Sequence, residues 1–123
     1  LNVANRVAGF VNANSLFQRV IPYCLDCKVD IEVYNRNRID LYNKLTDLGF
    51  KCVKPVGAFY MFPQTPIEDD VAFCNAAKEF NLLLVPGSGF GCKGHMRLSY
   101  CVSHDTIINS FPAFEKLAAK FIK

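Results

Sequence analysis

The chain has 123 residues, a formal net charge of +3, 51% hydrophobic residues, eleven Phe and no Trp. That is one domain's worth of globular chain, able to bury about two-thirds of the surface its unfolded form exposes, and it excludes a disordered or fibrous protein. The basic residues are scattered, which excludes a nucleic-acid footprint, and no apolar run reaches the ~18 residues of a membrane span.

The first residue is Leu1, so the chain is expected to begin inside a longer sequence or after processing; no signal peptide opens it, and it is expected to be cytoplasmic. The six cysteines, Cys24, Cys27, Cys52, Cys74, Cys92 and Cys101, several of them in apolar runs, are expected to be reduced, structural thiols. Cys24-x-x-Cys27 lacks the second Cys/His pair of a zinc site and the local context of a redox motif, so both readings are weak.

The opening, residues 1–15, is ambiguous between helix and irregular chain; Asn12, Asn14 and Ser15 are turn and cap residues. A helix is expected from Leu16 to about Leu25, kinked at Pro22. The clearest helix is 30-DIEVYNRNRIDLYNKLTDLGF-50, capped by Asp30 and stopped at Gly49, with Ile31, Tyr34, Leu41, Leu45 and Leu48 on one stripe that Arg38 interrupts. Pro55 and Gly57 split 51–63 into two short strands, the second, Ala58 to Phe62, apolar enough to be buried on both faces. Thr65-Pro66-Ile67-Glu68 reads as a capping box opening a helix to about Phe80, with Val71, Cys74, Ala77 and Phe80 or their neighbours inward and Asp69 and Asp70 at its positive end. Asn81 ends it. A strand over Leu82–Val85, the turn 86-PGSGFG-91, a strand over Met96–Val102 and a helix over Asp105–Ile122, kinked near Pro112, complete the chain. This order gives an α/β (α+β) packing, a short sheet against helices.

Three glycines in five residues, Gly87, Gly89 and Gly91, invite a phosphate-loop reading. Such a loop needs a helix directly after it, and here a strand follows. The loop then serves a turn that needs positive φ or a backbone that passes close to a ligand or another chain. Strand alternation places Arg97, Ser99 and Cys101 on one face, and Met96, Leu98, Tyr100 and Val102 on the other. A buried guanidinium needs a partner. It is either an internal salt bridge to one of the eleven acidic residues or the carboxylate of a ligand. His95 and His104 are isolated and read as polar turn residues; Phe59 and Tyr60 read as core.

Taken in order, 56-VGAFYMFP-63, 83-LLVPGSGFG-91 and 95-HMRLSYCVS-103 resemble the C-terminal small domain of class I/II aminotransferases, fold type I enzymes of the aspartate aminotransferase kind. The resemblance covers essentially the whole chain, residues 1–28 resembling the end of the large domain and the connector and 29–123 the small domain. It implies that Arg97 binds the substrate's α-carboxylate, with Ala58 and Phe59 in the wall beside it. It also implies pyridoxal 5'-phosphate as cofactor in the whole enzyme. The catalytic lysine and the groups that hold the cofactor are then expected upstream, outside this chain. The implied partners are an amino acid and a 2-oxo acid, the chain's own large domain and a second subunit in a homodimer, with no nucleic acid and no membrane. A β-lyase of the same fold, or a non-catalytic binding or interaction module, is the alternative.

Overall fold

The computed structural model of the chain describes residues 2–7 and 13–122; Asn12 lies outside them. Short helices α1 (Asn2–Val7) and α2 (Ser15–Val20) come first. Asn14 caps α2, its Oδ1 accepting from the Leu16 amide at 2.9 Å. The helix expected to Leu25 ends at Val20, and Ile21–Tyr23 form a 3₁₀ turn around Pro22. Proline has no N–H to return to the preceding turn, so Pro22 terminates this helix rather than kinking it.

Helix α3 (Ile31–Asp47) opens on Asp30, whose side chain accepts from the Glu32 amide, and passes through Leu48 into Gly49 at φ +89°, the left-handed stop that its sequence predicts. Leu41 and Leu45 are buried and Ile31 is exposed. Arg38 breaks the apolar stripe because it faces the next segment, donating to the Pro55 carbonyl at 2.7 Å. No described residue before Asn37 is buried, so the core begins in the second turn of this helix.

The sheet is antiparallel, in the order β1 (Tyr60–Met61), β3 (Met96–Ser99), β2 (Val85–Pro86). Its strands are shorter than expected. Ala58 takes φ +56°, which leaves extended geometry, and Pro63 has no amide to continue the ladder. Only Met61 of the Ala58–Phe62 run is fully buried, so burial on both faces is corrected to burial on one. The Leu82 amide turns back to the Ala77 carbonyl at 3.1 Å, which delays pairing to Val85.

The capping box is also corrected. Thr65 Oγ1 donates to the Ile67 carbonyl at 2.7 Å and closes a turn over Pro66. Helix α4 (Asp70–Ala77) starts later, on Asp69, whose carboxylate accepts from the Ala72 amide at 2.9 Å; Asp is a strong N-cap. Phe73, Cys74 and Ala77 face inward, while Val71 is exposed. Asn81, at φ +59°, ends the 3₁₀ extension of α4. Helix α5 (His104–Phe121), capped by Ser103, is continuous through Pro112. The buried face of the sheet (Met61, Met96, Leu98) packs with α3, α4 and α5 into one core around Leu45, Phe73 and Leu117. The six cysteines are free, but only Cys74 is buried.

Candidate functional site

Register decides what the open face of the sheet displays. Tyr60 opposes Ser99 and Val85 opposes Arg97, so these four share one face while Met61, Leu98 and Met96 share the buried one. Arg97 is half-buried there. Its guanidinium carbon lies 4.4 Å from the centre of the Tyr60 ring and 4.0 Å from that of Phe90. Two aromatic rings this close to one guanidinium stabilise the cation. No carboxylate among the described residues lies within ion-pair distance of it. The internal salt bridge that the sequence left open is therefore not formed. Among the described residues Arg97 is the sole charged side chain lining a cleft of about 340 Å³ beside β3, which Tyr60, Leu83, Val85 and Ser99 also line.

Phe90 reaches this place because 87–90 form a 3₁₀ turn between β2 and Gly91, at φ +73°. The turn is fixed from three sides. The Gly87 amide donates to the His95 carbonyl at 2.8 Å, the Cys92 amide to the Gly87 carbonyl at 2.9 Å, and the Ser88 amide to Asp70 Oδ2 at 2.6 Å. The Ser88 hydrogen bond holds the Asp70 carboxyl below its ordinary range, against the opposing effect of burial. Of the two readings of the glycines, positive φ applies at Gly91. Close approach applies at Gly87, to the chain's own backbone at Cys92 and His95.

The backbone just before β1 is strained. Ala58 sits in the left-handed region at φ +56°, which costs an L-residue roughly 1–2 kcal/mol. Tyr100, buried at 1% exposure, donates from Oη to the Ala58 carbonyl at 2.8 Å, and its amide donates to the Phe59 carbonyl at 3.1 Å. Burial pushes the Tyr100 phenol up. Phe59 is partly exposed and lies against Tyr60, ring centres 4.4 Å apart. Of the three residues singled out by sequence, Arg97 lines the cleft, whereas Phe59 and Ala58 do not; Ala58 lines a separate hollow with Arg38 and Tyr100.

Sequence reasoning missed three contributors. Tyr60 read as core and Phe90 as a turn residue, yet both stack on Arg97. Asn37 was passed over, although it is fully buried and its Nδ2 donates to the carbonyls of Tyr100 at 3.0 Å and Val102 at 2.8 Å. His104 is not an isolated turn residue: its Nδ1 lies 3.0 Å from Asn37 Oδ1 and its Nε2 3.7 Å from Asp40. A polar residue on the inner stripe of α3, one turn before Leu41, was the available signal.

The residues present do not fit a pyridoxal-phosphate site. Among the described residues no lysine lines the cleft. Lys44, Lys93 and Lys120 pair with Glu115, Glu68 and Glu79. The loop amides of Gly87, Ser88, Gly91 and Cys92 are spent inside the chain. Among the described residues no group of three or more His, Cys, Asp or Glu could hold a metal ion, and no helix is long and apolar enough to cross a membrane.

The sequence is 43% identical over 76 residues to an aspartate aminotransferase of Geobacillus stearothermophilus, a match spanning 54% of this chain and 19% of that one. The fold superposes on an amino transferase from Eubacterium rectale with TM-score 0.84 and 48% identity, over 98% of this chain and 30% of that one. It superposes on Thermus thermophilus aspartate aminotransferase with maleate at TM-score 0.67 and 36% identity, over 70% of this chain and 23% of that one. The chain spans about a fifth to a quarter of the length of the curated relatives it matches. The family model for aminotransferase class I and II matches residues 13–110, and this chain belongs to that family.

Proposed function

We propose that this chain is the substrate-carboxylate wall of an aminotransferase that moves an amino group between an L-amino acid and a 2-oxo acid. In this reading residues 29–123 are the small domain and 1–28 the connector from a large domain. That domain, in a homodimer, contributes the lysine and the pyridoxal 5'-phosphate, whose electron-sink chemistry lies outside this chain. The observation that supports it is Arg97. It is a half-buried guanidinium whose carbon lies 4.4 Å from the Tyr60 ring centre and 4.0 Å from that of Phe90, with no ion-paired carboxylate and no other charge lining its cleft among the described residues. A planar fork so placed binds one carboxylate through two parallel N–H bonds. That fixes the amino acid in orientation before any bond changes. Maleate, bound by the Thermus thermophilus relative, is a carboxylate ligand of the class such a fork would take.

The test is the enzyme that contains this chain, assayed for transfer of the amino group from an L-amino acid to 2-oxoglutarate, with Arg97→Ala beside the parent. Loss of one partner of a desolvated charge pair costs about 3–5 kcal/mol, so kcat/KM is expected to fall by roughly two to four orders of magnitude. An unchanged kcat/KM overturns the role of Arg97. Release of pyruvate and ammonia without amino transfer identifies a lyase instead.

A further inference from the structure

We propose that Cys24 and Cys27 form a dithiol pair that closes to an intramolecular disulfide by exchange with a low-molecular-weight disulfide. The two cysteines are positioned by the turn that Pro22 begins. Cys24 closes the 3₁₀ turn, its amide donating to the Ile21 carbonyl at 2.9 Å, and the Cys27 amide then donates to the Cys24 carbonyl at 3.1 Å. A turn with that hydrogen bond brings its end Cα atoms within about 7 Å, and a disulfide spans about 4.4–6.8 Å. Both thiols are exposed and free. Nothing in the core depends on their present state, since no described residue before Asn37 is buried.

The other cysteines lack one or more of these conditions. Cys74 is buried and Cys52 half-buried, and burial pushes each thiol up to about 11, which keeps both protonated at neutral pH and slow as nucleophiles. Cys92 is half-buried. Cys101 is exposed, but it has no cysteine within three residues and lies 3.0 Å from Ser99 Oγ.

The exchange is balanced. One cysteine, as thiolate, attacks a sulfur of the reagent disulfide, forming a mixed disulfide and expelling one reagent thiolate. The second thiolate attacks the protein-side sulfur of that bond and expels the other. The protein dithiol loses two electrons and two protons, and the reagent leaves as two thiols. The mixed disulfide is short-lived because its resolving partner is already within the turn.

The chain itself, treated with oxidised glutathione, capped with iodoacetamide and digested with trypsin, gives the test. Arg19 and Lys28 bracket both cysteines in the single peptide Val20–Lys28. The expected product is that peptide two hydrogens lighter, uncapped, and converted by dithiothreitol to a form that takes two caps. Cys24→Ser and Cys27→Ser should each instead accumulate a glutathione adduct on the remaining cysteine. Adducts without closure in the unsubstituted chain, full capping of both thiols, or linkage of either to a different peptide would each overturn the pairing. Both substitutions fall on exposed residues, and circular dichroism checks that they leave the fold intact.

Discussion

The Arg97 guanidinium carbon stands 4.0 Å from the centre of the Phe90 ring, so the cation is braced by a residue that lies seven positions earlier in a different element. A desolvated cation–π contact is worth about 0.5–2 kcal/mol. Phe90→Ala in the whole enzyme is therefore expected to lower kcat/KM for the amino acid by roughly 2- to 30-fold, while Phe90→Tyr, which keeps the ring, stays near the parent. Steady-state kinetics with both variants checks this. Equal losses in the two would mean that the ring at position 90 does not support Arg97 through its π-face.

The loop that carries Phe90 makes a sharp distinction between two of its glycines. A Cβ on Gly87 would stand 2.8 Å from the His95 carbonyl oxygen and closer still to that of Cys92, whereas one on Gly89 would meet nothing within 4 Å. Backbone atoms on two sides cannot step aside. Gly87→Ala is expected to cost about 2–3 kcal/mol, the upper part of the overpacking range, and Gly89→Ala to stay within about 0.5 kcal/mol. Urea unfolding of the two variants measures the difference.

Asp70 holds the same loop through the Ser88 amide, and its folded-state carboxyl titrates below the ordinary value of 3.8. A depressed carboxyl contributes stability that is present above the unfolded pKa and is lost as pH falls through the folded one. Asp70→Asn keeps an oxygen acceptor for Ser88 but removes the charge. The parent should therefore exceed the variant in stability at neutral pH, and the gap should close as pH drops below 3.8. Unfolding midpoints taken in steps across that window give the curve; a gap that is constant with pH would locate the effect in packing instead of charge.

Much of this anatomy is legible in the sequence. Asp30 and Gly49 marked the ends of α3 because cap chemistry is local, and the alternation Met96, Leu98, Tyr100 against Arg97, Ser99 followed from the pleat. The family resemblance rested on the order of three motifs rather than on any one. The failures came where a long-range partner outvoted a local rule. Thr65 matched a cap pattern but spent its hydroxyl on Ile67. Ala58 read as strand but was drawn into positive φ, where its carbonyl meets Tyr100. Phe90 looked like turn filler because nothing in its own neighbourhood announces Arg97. Tyr60 looked like core because an aromatic in a short apolar run gives no sign of which face it takes until the register with Ser99 is known.

Asn37 is the clearest case of a partner invisible to periodicity, and it yields the most demanding prediction. Its amide nitrogen serves the carbonyls of Tyr100 and Val102, just past the strand of Arg97, and its Oδ1 faces His104 at the start of α5. Oδ1 can only accept, so His104 Nδ1 supplies the hydrogen. One side chain thus joins α3, the end of β3 and the start of α5. Asn37→Leu keeps the volume and strands a buried acceptor at Tyr100. At about 1–3 kcal/mol for each orphaned group, a loss of roughly 2–3 kcal/mol in urea unfolding is expected. Asn37→Asp tests polarity separately from shape. An ionised carboxylate there would face two carbonyl oxygens, and burial would raise its folded-state pKa, so the penalty is present above that pKa and relieved as pH falls and the acid can donate again. Asn37→Leu within about 0.5 kcal/mol of the parent, the range of an ordinary surface change, would show that this junction is held by packing alone.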